Sequence, residues 1–136
     1  MRPPEEVKRE LIHQWLGKAE EDLEAAKILL AHEKPFLFAA GFHSQQAAEK
    51  YLKAFLTWRQ IEFPKTHDLI QLLRLIGSAN PALAADLKEI TALNPYGVDI
   101  RYPGDVPDLA PQDARQAVEL AEKAREKVLE AMKGWA

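Results

Sequence analysis

Apolar residues recur at helical spacing along most of the chain, and this pattern predicts an all-α fold. They occupy every third or fourth position in segments 6–32, 36–60, 68–77, 81–93 and 111–133. At about 100° per residue, that spacing brings them onto one side of each helix. No segment shows the alternation of polar and apolar residues that a half-buried strand requires. We therefore expect helices without a sheet.

The same spacing predicts which side chains form the core. In the first helix the expected core residues are Leu11, Trp15, Ala19, Leu23, Ala26 and Leu30. In the third helix they are Leu69, Leu72, Leu73 and Ile76. In the last helix they are Ala114, Val118, Ala121, Ala124, Val128 and Met132. Charged residues fill the opposite sides, as in the amphipathic helices of a bundle.

Helix-breaking and capping residues divide these segments. Pro35 ends the first helix, because proline disfavours helical geometry in the residue before it. Thr66 is the predicted N-cap of the third helix, with Asp68 in the first turn. Prolines and glycines make residues 94–110 a long loop before the last helix. The pattern favours an antiparallel four- to five-helix up-and-down bundle, with one domain over residues 1–136.

Composition and charge narrow the functional classes. The chain is 47% hydrophobic, has no cysteine, and has no apolar run near the length of about 18 residues that a membrane span needs. Its N-terminus lacks the apolar stretch of a secretory signal, so we expect a cytoplasmic protein. The net charge is −3, but residues 50–75 carry five basic and two acidic side chains. A polyanion would bind first at that window.

The polar arc of the second helix is the first candidate binding site. Gln46, Glu49, Lys50 and Lys53 lie on it, with Phe42 among them. An exposed aromatic ring flanked by Gln and Lys suits a partner helix or a stacked base. These spacings are also those of an ordinary solvated helix face, so a purely structural bundle stays open.

Two further features carry candidate chemistry. The loop over residues 94–110 is longer than most loops in compact domains, and its Arg101 and Tyr102 suit a phosphate or a base. As an alternative, this loop only connects two helices. His67 lies between Thr66 and Asp68, where it is either a structural hydrogen-bonding residue or a general base. No phosphate-binding glycine loop is present, and no pattern indicates a metal or a cofactor.

Four stretches resemble a known family. The run FHSQQAAEKYLKAFL over residues 42–56 resembles the central helix of HEPN domains, the "higher eukaryotes and prokaryotes nucleotide-binding" family. AEEDLEAA at 19–26, KTHDL at 65–69 and RYP at 101–103 are similar to stretches of the same family, in the same order. The resemblance implies a helical bundle that forms a homodimer and often acts with a separate minimal nucleotidyltransferase, as in toxin–antitoxin-like systems.

The resemblance also bears on binding and catalysis. By position it assigns nucleotide or partner binding to Gln46, Glu49, Lys53, His67, Asp68, Arg101 and Tyr102. Phe42 and Lys50 are candidates for the same role because they lie on the polar arc of the second helix. Some HEPN members cut RNA with an Arg and a His that have four to six residues between them. No histidine follows Arg101, and no other pair has that spacing on the late part of the chain. We therefore expect a non-catalytic module that binds a nucleotide, an RNA or a nucleotidyltransferase. The alternative is a metal-independent ribonuclease with a displaced site, formed by His67 and Arg101.

Overall fold

A computed structural model describes residues 4–97 and 108–136 of the chain. Over these residues it contains five α-helices and one 3-10 helix, and no strand. The elements in chain order are α1 (Pro4–Ala31), α2 (Leu37–Trp58), α3 (Leu69–Ala79), α4 (Pro81–Asp86), the 3-10 helix (Lys88–Gly97) and α5 (Pro111–Ala131). The predicted all-α bundle is confirmed.

α2 is the central helix of the bundle. Thirteen of its 22 residues are buried, against four of the 28 residues of α1. Lys53 contacts the ring of Trp15 and Lys50 pairs with Asp22, so α1 and α2 run antiparallel. α1 also runs antiparallel to α5, with which it shares the pairs Glu20–Arg125 and Lys27–Glu122. Because α2 is packed on several sides, even its polar positions are partly covered.

The predicted core is correct in α3 and α5 and partly wrong in α1. All the predicted core residues of α3 and α5 are buried. In α1, however, Ile12 is buried and Leu11 is 43% exposed. A stripe drawn in steps of four residues rotates by about 40° per step, so over two steps it leaves the buried side. The helix was predicted correctly, but its N-terminal buried side was not.

Two predicted boundaries also differ from the structure. The N-cap of α3 is Asp68, whose carboxylate accepts the Ile70 N–H at 2.9 Å. Thr66 lies two residues earlier and accepts the Asp68 N–H at 3.1 Å, so the prediction of Thr66 as the cap is wrong. The helix predicted over 81–93 is divided into α4 and the 3-10 helix, and residues 94–97, which were predicted as loop, form the end of that 3-10 helix. The rest of that predicted loop, up to residue 107, lies outside the described residues.

Tyr96 holds the end of the 3-10 helix against α2. Its ring lies directly over Gly41, at a distance that only a residue without a side chain allows, and it also contacts the ring of Phe38. Burial, followed by the nearby charge of Asp113, raises the pKa of Tyr96. The ring therefore stays neutral while it packs on α2.

Among the helices of residues 4–97 and 108–136, none combines the length and the apolar character that crossing a bilayer requires.

Candidate functional site

The polar arc of α2 is partly buried. Glu49 and Lys53 are only 3% and 6% exposed, and Phe42, Gln46 and Lys50 are half-buried. The alternative of an ordinary solvated helix face is therefore wrong for Glu49 and Lys53, and the prediction of an exposed ring is wrong for Phe42. The physical reason is the central position of α2, which brings other elements over its polar side.

Glu49 organises a set of polar side chains that we call the Glu49 cluster, consisting of Gln45, Glu49, Lys53 and His67. Its Oε2 accepts from Lys53 Nζ at 3.0 Å, and its Oε1 accepts from His67 Nδ1 at 2.8 Å and from Gln45 Nε2 at 3.3 Å. Gln45, which is fully buried, also donates to the His67 carbonyl at 3.0 Å. The cluster therefore ties the residue before the α3 cap to the middle of α2.

Lys53 supports this cluster from within the protein. Its Nζ lies 5.5 Å from the ring centroid of Trp15 and 5.8 Å from that of Phe63, in addition to its ion pair with Glu49. A buried charge is tolerated when it is paired in this way, and the aromatic faces add a cation–π attraction. Lys53 is thus placed to hold Glu49 rather than to contact a ligand.

His67 is the exposed member of the Glu49 cluster. Its side chain is 61% exposed, yet its Nδ1 is held by a buried carboxylate. Since an ionised carboxylate only accepts hydrogen bonds, Nδ1 carries a proton and the ring is oriented. Nε2 forms no hydrogen bond with the described residues 4–97 and 108–136, so it can contact a ligand. An oriented imidazole at the surface can bind an anion or transfer a proton.

Asp68 has a structural role at the same end of the bundle. Besides capping α3, its Oδ1 accepts from Asn94 Nδ2 at 2.9 Å, while Asn94 Oδ1 accepts the Leu69 N–H at 2.9 Å. These bonds bind the 3-10 helix to the start of α3. Gly97, which ends that helix, packs closely against the side chain of Gln45. The candidates Arg101 and Tyr102 follow in sequence and lie outside the described residues.

A second group of polar side chains, the Asp22 cluster, joins α1 to the other edge of the arc. Asp22 Oδ1 lies 2.9 Å from His43 Nδ1, and Asp22 Oδ2 accepts from Lys50 Nζ. His43 and Lys50 are seven residues apart, which is two helical turns and places them on one side of α2. Asp22 and His43 of this cluster, and Gln45 of the Glu49 cluster, were not among the residues predicted from the sequence. Because their spacing places His43 and Lys50 on one side of α2, that spacing could have indicated two of the three members of the Asp22 cluster.

Gln46 and Phe42 lie between the two clusters. Gln46 Nε2 donates to Gln45 Oε1 at 2.6 Å, and the ring of Phe42 meets the ring of His43 at 5.4 Å. We call this arc, together with His67 just before α3, the α2 strip. It carries two histidines that are held by carboxylates, His43 and His67, with the amide of Gln46 and the ring of Phe42 between them. That combination offers contacts to phosphates at its edges and to a base at its centre.

Tyr51, which lies away from the α2 strip, has a strongly shifted pKa. Burial, and next the hydrogen bond to Glu20, raises the pKa of Tyr51 well above its usual range. Its hydroxyl donates to Glu20 Oε1 at 2.7 Å, and Arg125 Nε donates to the same oxygen at 2.7 Å. These three residues connect α1, α2 and α5, so we interpret them as structural. Within residues 4–97 and 108–136, no three His, Asp or Glu side chains come together as a metal site would require.

Comparisons with known proteins bear on this arrangement. Residues 12–132 match the family model described as "HEPN domain". The fold is similar to the crystal structure of an archaeal HEPN homologue, with a TM-score of 0.68 and 28% sequence identity. That similarity covers 90% of this chain and 98% of the archaeal chain. No curated protein sequence matches the chain.

Proposed function

Because the chain belongs to the HEPN domain family, we propose that it is a non-catalytic binding module that takes the phosphates of a nucleotide or an RNA on the α2 strip. The observation that carries this proposal is the exposed His67 ring, whose Nδ1 is held at 2.8 Å by the buried Glu49. In its imidazolium form, a ring oriented in this way donates Nε2–H to a phosphate oxygen without a further loss of side-chain freedom. Gln46 and Phe42 offer the adjoining contacts to a base, and Lys65, which is exposed nearby in the chain, adds positive charge.

A binding measurement with a matched variant tests this proposal. We expect His67→Ala to weaken the binding of a short fluorescein-labelled single-stranded RNA about tenfold, because one charge-assisted contact is lost. The control is His32→Ala, since His32 is exposed just after α1, where its ring contacts the backbone of Lys34 and the ring of Phe36. Fluorescence anisotropy at one fixed salt concentration gives both affinities. Equal losses in the two variants, or no loss in His67→Ala, would contradict the proposal.

The Glu49–His67 contact also favours a second candidate, the metal-independent ribonuclease that uses His67 and Arg101. In such a reaction the 2′ oxygen of RNA attacks the adjacent phosphorus, and the bond from phosphorus to the 5′ oxygen breaks. His67 Nε2 would take the proton from the 2′ hydroxyl, and the departing 5′ oxygen would take one from water. Arg101 would bind the phosphate by charge-assisted hydrogen bonds.

The same RNA separates the two candidates. Incubation with EDTA followed by gel electrophoresis leaves the RNA intact if the chain only binds it. Cleavage by the wild type that disappears in both His67→Ala and Arg101→Ala, and persists in His32→Ala, would establish the ribonuclease instead. The missing Arg–His spacing is the reason we place binding first.

We further propose that the chain is a homodimer, and that α1 contributes to the interface. Val7 and Leu11 are exposed apolar residues one helical turn apart on α1. Sedimentation equilibrium should show a dimer that Leu11→Glu converts to a monomer, because a charge would replace the apolar contact. Ile28→Glu, which alters an exposed apolar residue near the other end of the same helix, should remain dimeric. A monomeric wild type would contradict the dimer.

The proposed partner is a separate minimal nucleotidyltransferase, in a toxin–antitoxin-like pair. This part of the proposal rests on the family alone. The α2 strip, which we propose binds phosphates, is compatible with such a partner, since a nucleotidyltransferase binds nucleotides.

A further inference from the structure

A groove runs between α3 and the segment formed by α4 and the 3-10 helix, on a part of the bundle that the proposed nucleotide site does not use. We call it the α3–α4 groove. Its volume is about 520 Å³, and the residues that line it include Ile70, Leu73, Arg74, Gly77, Ala84 and Lys88. The surface inside is mainly apolar. Ile70 remains 44% exposed there, although large aliphatic side chains are favoured in the core.

The shape of the groove follows from the sequence of α3. Ile70, Arg74 and Gly77 recur at helical spacing and therefore share one side of that helix. Gly77 has no side chain to fill the groove, and a Cβ placed there would lie 3.5 Å from the Ala84 side chain. An open apolar channel results, and its floor is formed by residues of two elements.

The rim of the groove is positively charged. Arg74 and Lys88 are both exposed, and neither forms an ion pair with any residue within 4–97 and 108–136. No acidic side chain lines the groove. The local charge is thus opposite in sign to the net charge of −3 of the whole chain.

We propose that the α3–α4 groove binds an amphipathic helix of a partner protein whose apolar side is flanked by acidic residues. The apolar floor would take anchor residues at positions i, i+3 or i+4, and i+7 of the partner, as in other helix-in-groove complexes. The eleven residues of α3 extend over roughly 16 Å, about three turns of such a helix. Arg74 and Lys88 select the acidic flank and act against a basic one. This proposal is independent of the nucleotide site.

Two synthetic peptides test it. Both contain leucines at helical spacing, and one carries Glu where the other carries Lys. We expect the wild type to bind the Glu peptide about tenfold more tightly than the Lys peptide, measured by fluorescence anisotropy. A general attraction between the whole chain and a charged peptide would give the opposite order, because the chain is acidic overall. The preference therefore reports the local rim charge.

Substitutions in the α3–α4 groove test whether the peptide binds there. Arg74→Glu combined with Lys88→Glu should reverse the preference between the peptides, and both positions are exposed, so the fold should be retained. Ile70→Ser should weaken the Glu peptide, whereas Ile28→Ser, on the distant α1, should not. An absence of Glu-peptide binding, or an unchanged preference after charge reversal, would overturn the proposal. A lower mass of Ile70→Ser in sedimentation would also overturn it, because the groove would then be covered by a second copy of the chain.

Discussion

Replacing Glu49 by Leu is expected to lower the free energy of unfolding by about 3–5 kcal/mol, because the Lys53 ammonium would then be buried without its partner. The two side chains are only 3% and 8% exposed, so water cannot replace the lost carboxylate. The substitution also leaves the donors of Gln45 and His67 without their shared acceptor. Urea denaturation followed by circular dichroism measures the change.

A double variant separates this cause from a general loss of packing. Glu49→Leu with Lys53→Met removes both charges together, and such replacements of a buried pair are often close to neutral. We therefore expect the double variant to recover most of the lost stability. A double variant as unstable as Glu49→Leu would show that the unpaired lysine is not the cause. In the exposed pair Glu89–Lys123, replacement of Glu89 should change stability by less than about 1 kcal/mol.

The same double variant connects stability with function. It is expected to fold, but its His67 ring lacks the carboxylate that holds Nδ1. If orientation by Glu49 matters, the folded double variant binds RNA more weakly, by an amount similar to that in His67→Ala. Binding equal to that of the wild type would show that the Glu49 cluster serves folding only.

Gly41→Ala is expected to destabilise the protein by about 1–3 kcal/mol, although alanine is the better helix former. A Cβ at position 41 would lie 2.3 Å from two carbons of the Tyr96 ring, so the ring would have to move. The matched control is Gly17→Ala in α1, where a Cβ meets no atom within 4 Å. We expect a gain of up to about 1 kcal/mol there. The free energy of unfolding, measured by thermal and urea unfolding, should therefore fall for Gly41→Ala and rise for Gly17→Ala.

A double-mutant cycle tests whether Tyr96 is the cause of the destabilisation by Gly41→Ala. In a Tyr96→Ala background the space above residue 41 is empty, so Gly41→Ala should lose its penalty and show only the helix-propensity gain. If the penalty is the same in both backgrounds, the contact between α2 and the end of the 3-10 helix does not explain it. Gly41 and Tyr96 also hold the end of the 3-10 helix, which precedes Arg101 and Tyr102 in sequence, so RNA binding by Gly41→Ala is worth measuring beside its stability.

The all-α class, the approximate bounds of α1, α2, α3 and α5, and the cores of α3 and α5 followed from the sequence, because they depend on local information. Apolar residues at a period near 3.6 and breakers such as Pro35 act within a few residues along the chain. The family resemblance was equally accessible, and it is confirmed by the match over residues 12–132. In α1 the same reasoning misplaced Leu11, because a long helix amplifies small errors in phase.

The candidate site depended on tertiary structure to a much greater degree. The sequence identified Glu49, Lys53 and His67 as candidates but left open whether the first two lie on an ordinary solvated helix face. Whether a polar arc meets water or protein is decided by the elements that pack on it, and helical periodicity does not contain that information. The predicted N-cap failed for a related reason, because Asp68 is supported from the 3-10 helix by Asn94.

What the sequence determined by itself is therefore the set of helices, their family and the polar arc of α2. Only the tertiary structure decided that Asp22 meets His43 and Lys50 across 21 and 28 residues of sequence, and that Gly41 lies under Tyr96. Such pairs form when whole helices dock, and their residues share no local pattern. A hydrogen bond or a close contact acts over a few ångströms of space, whatever the separation along the chain.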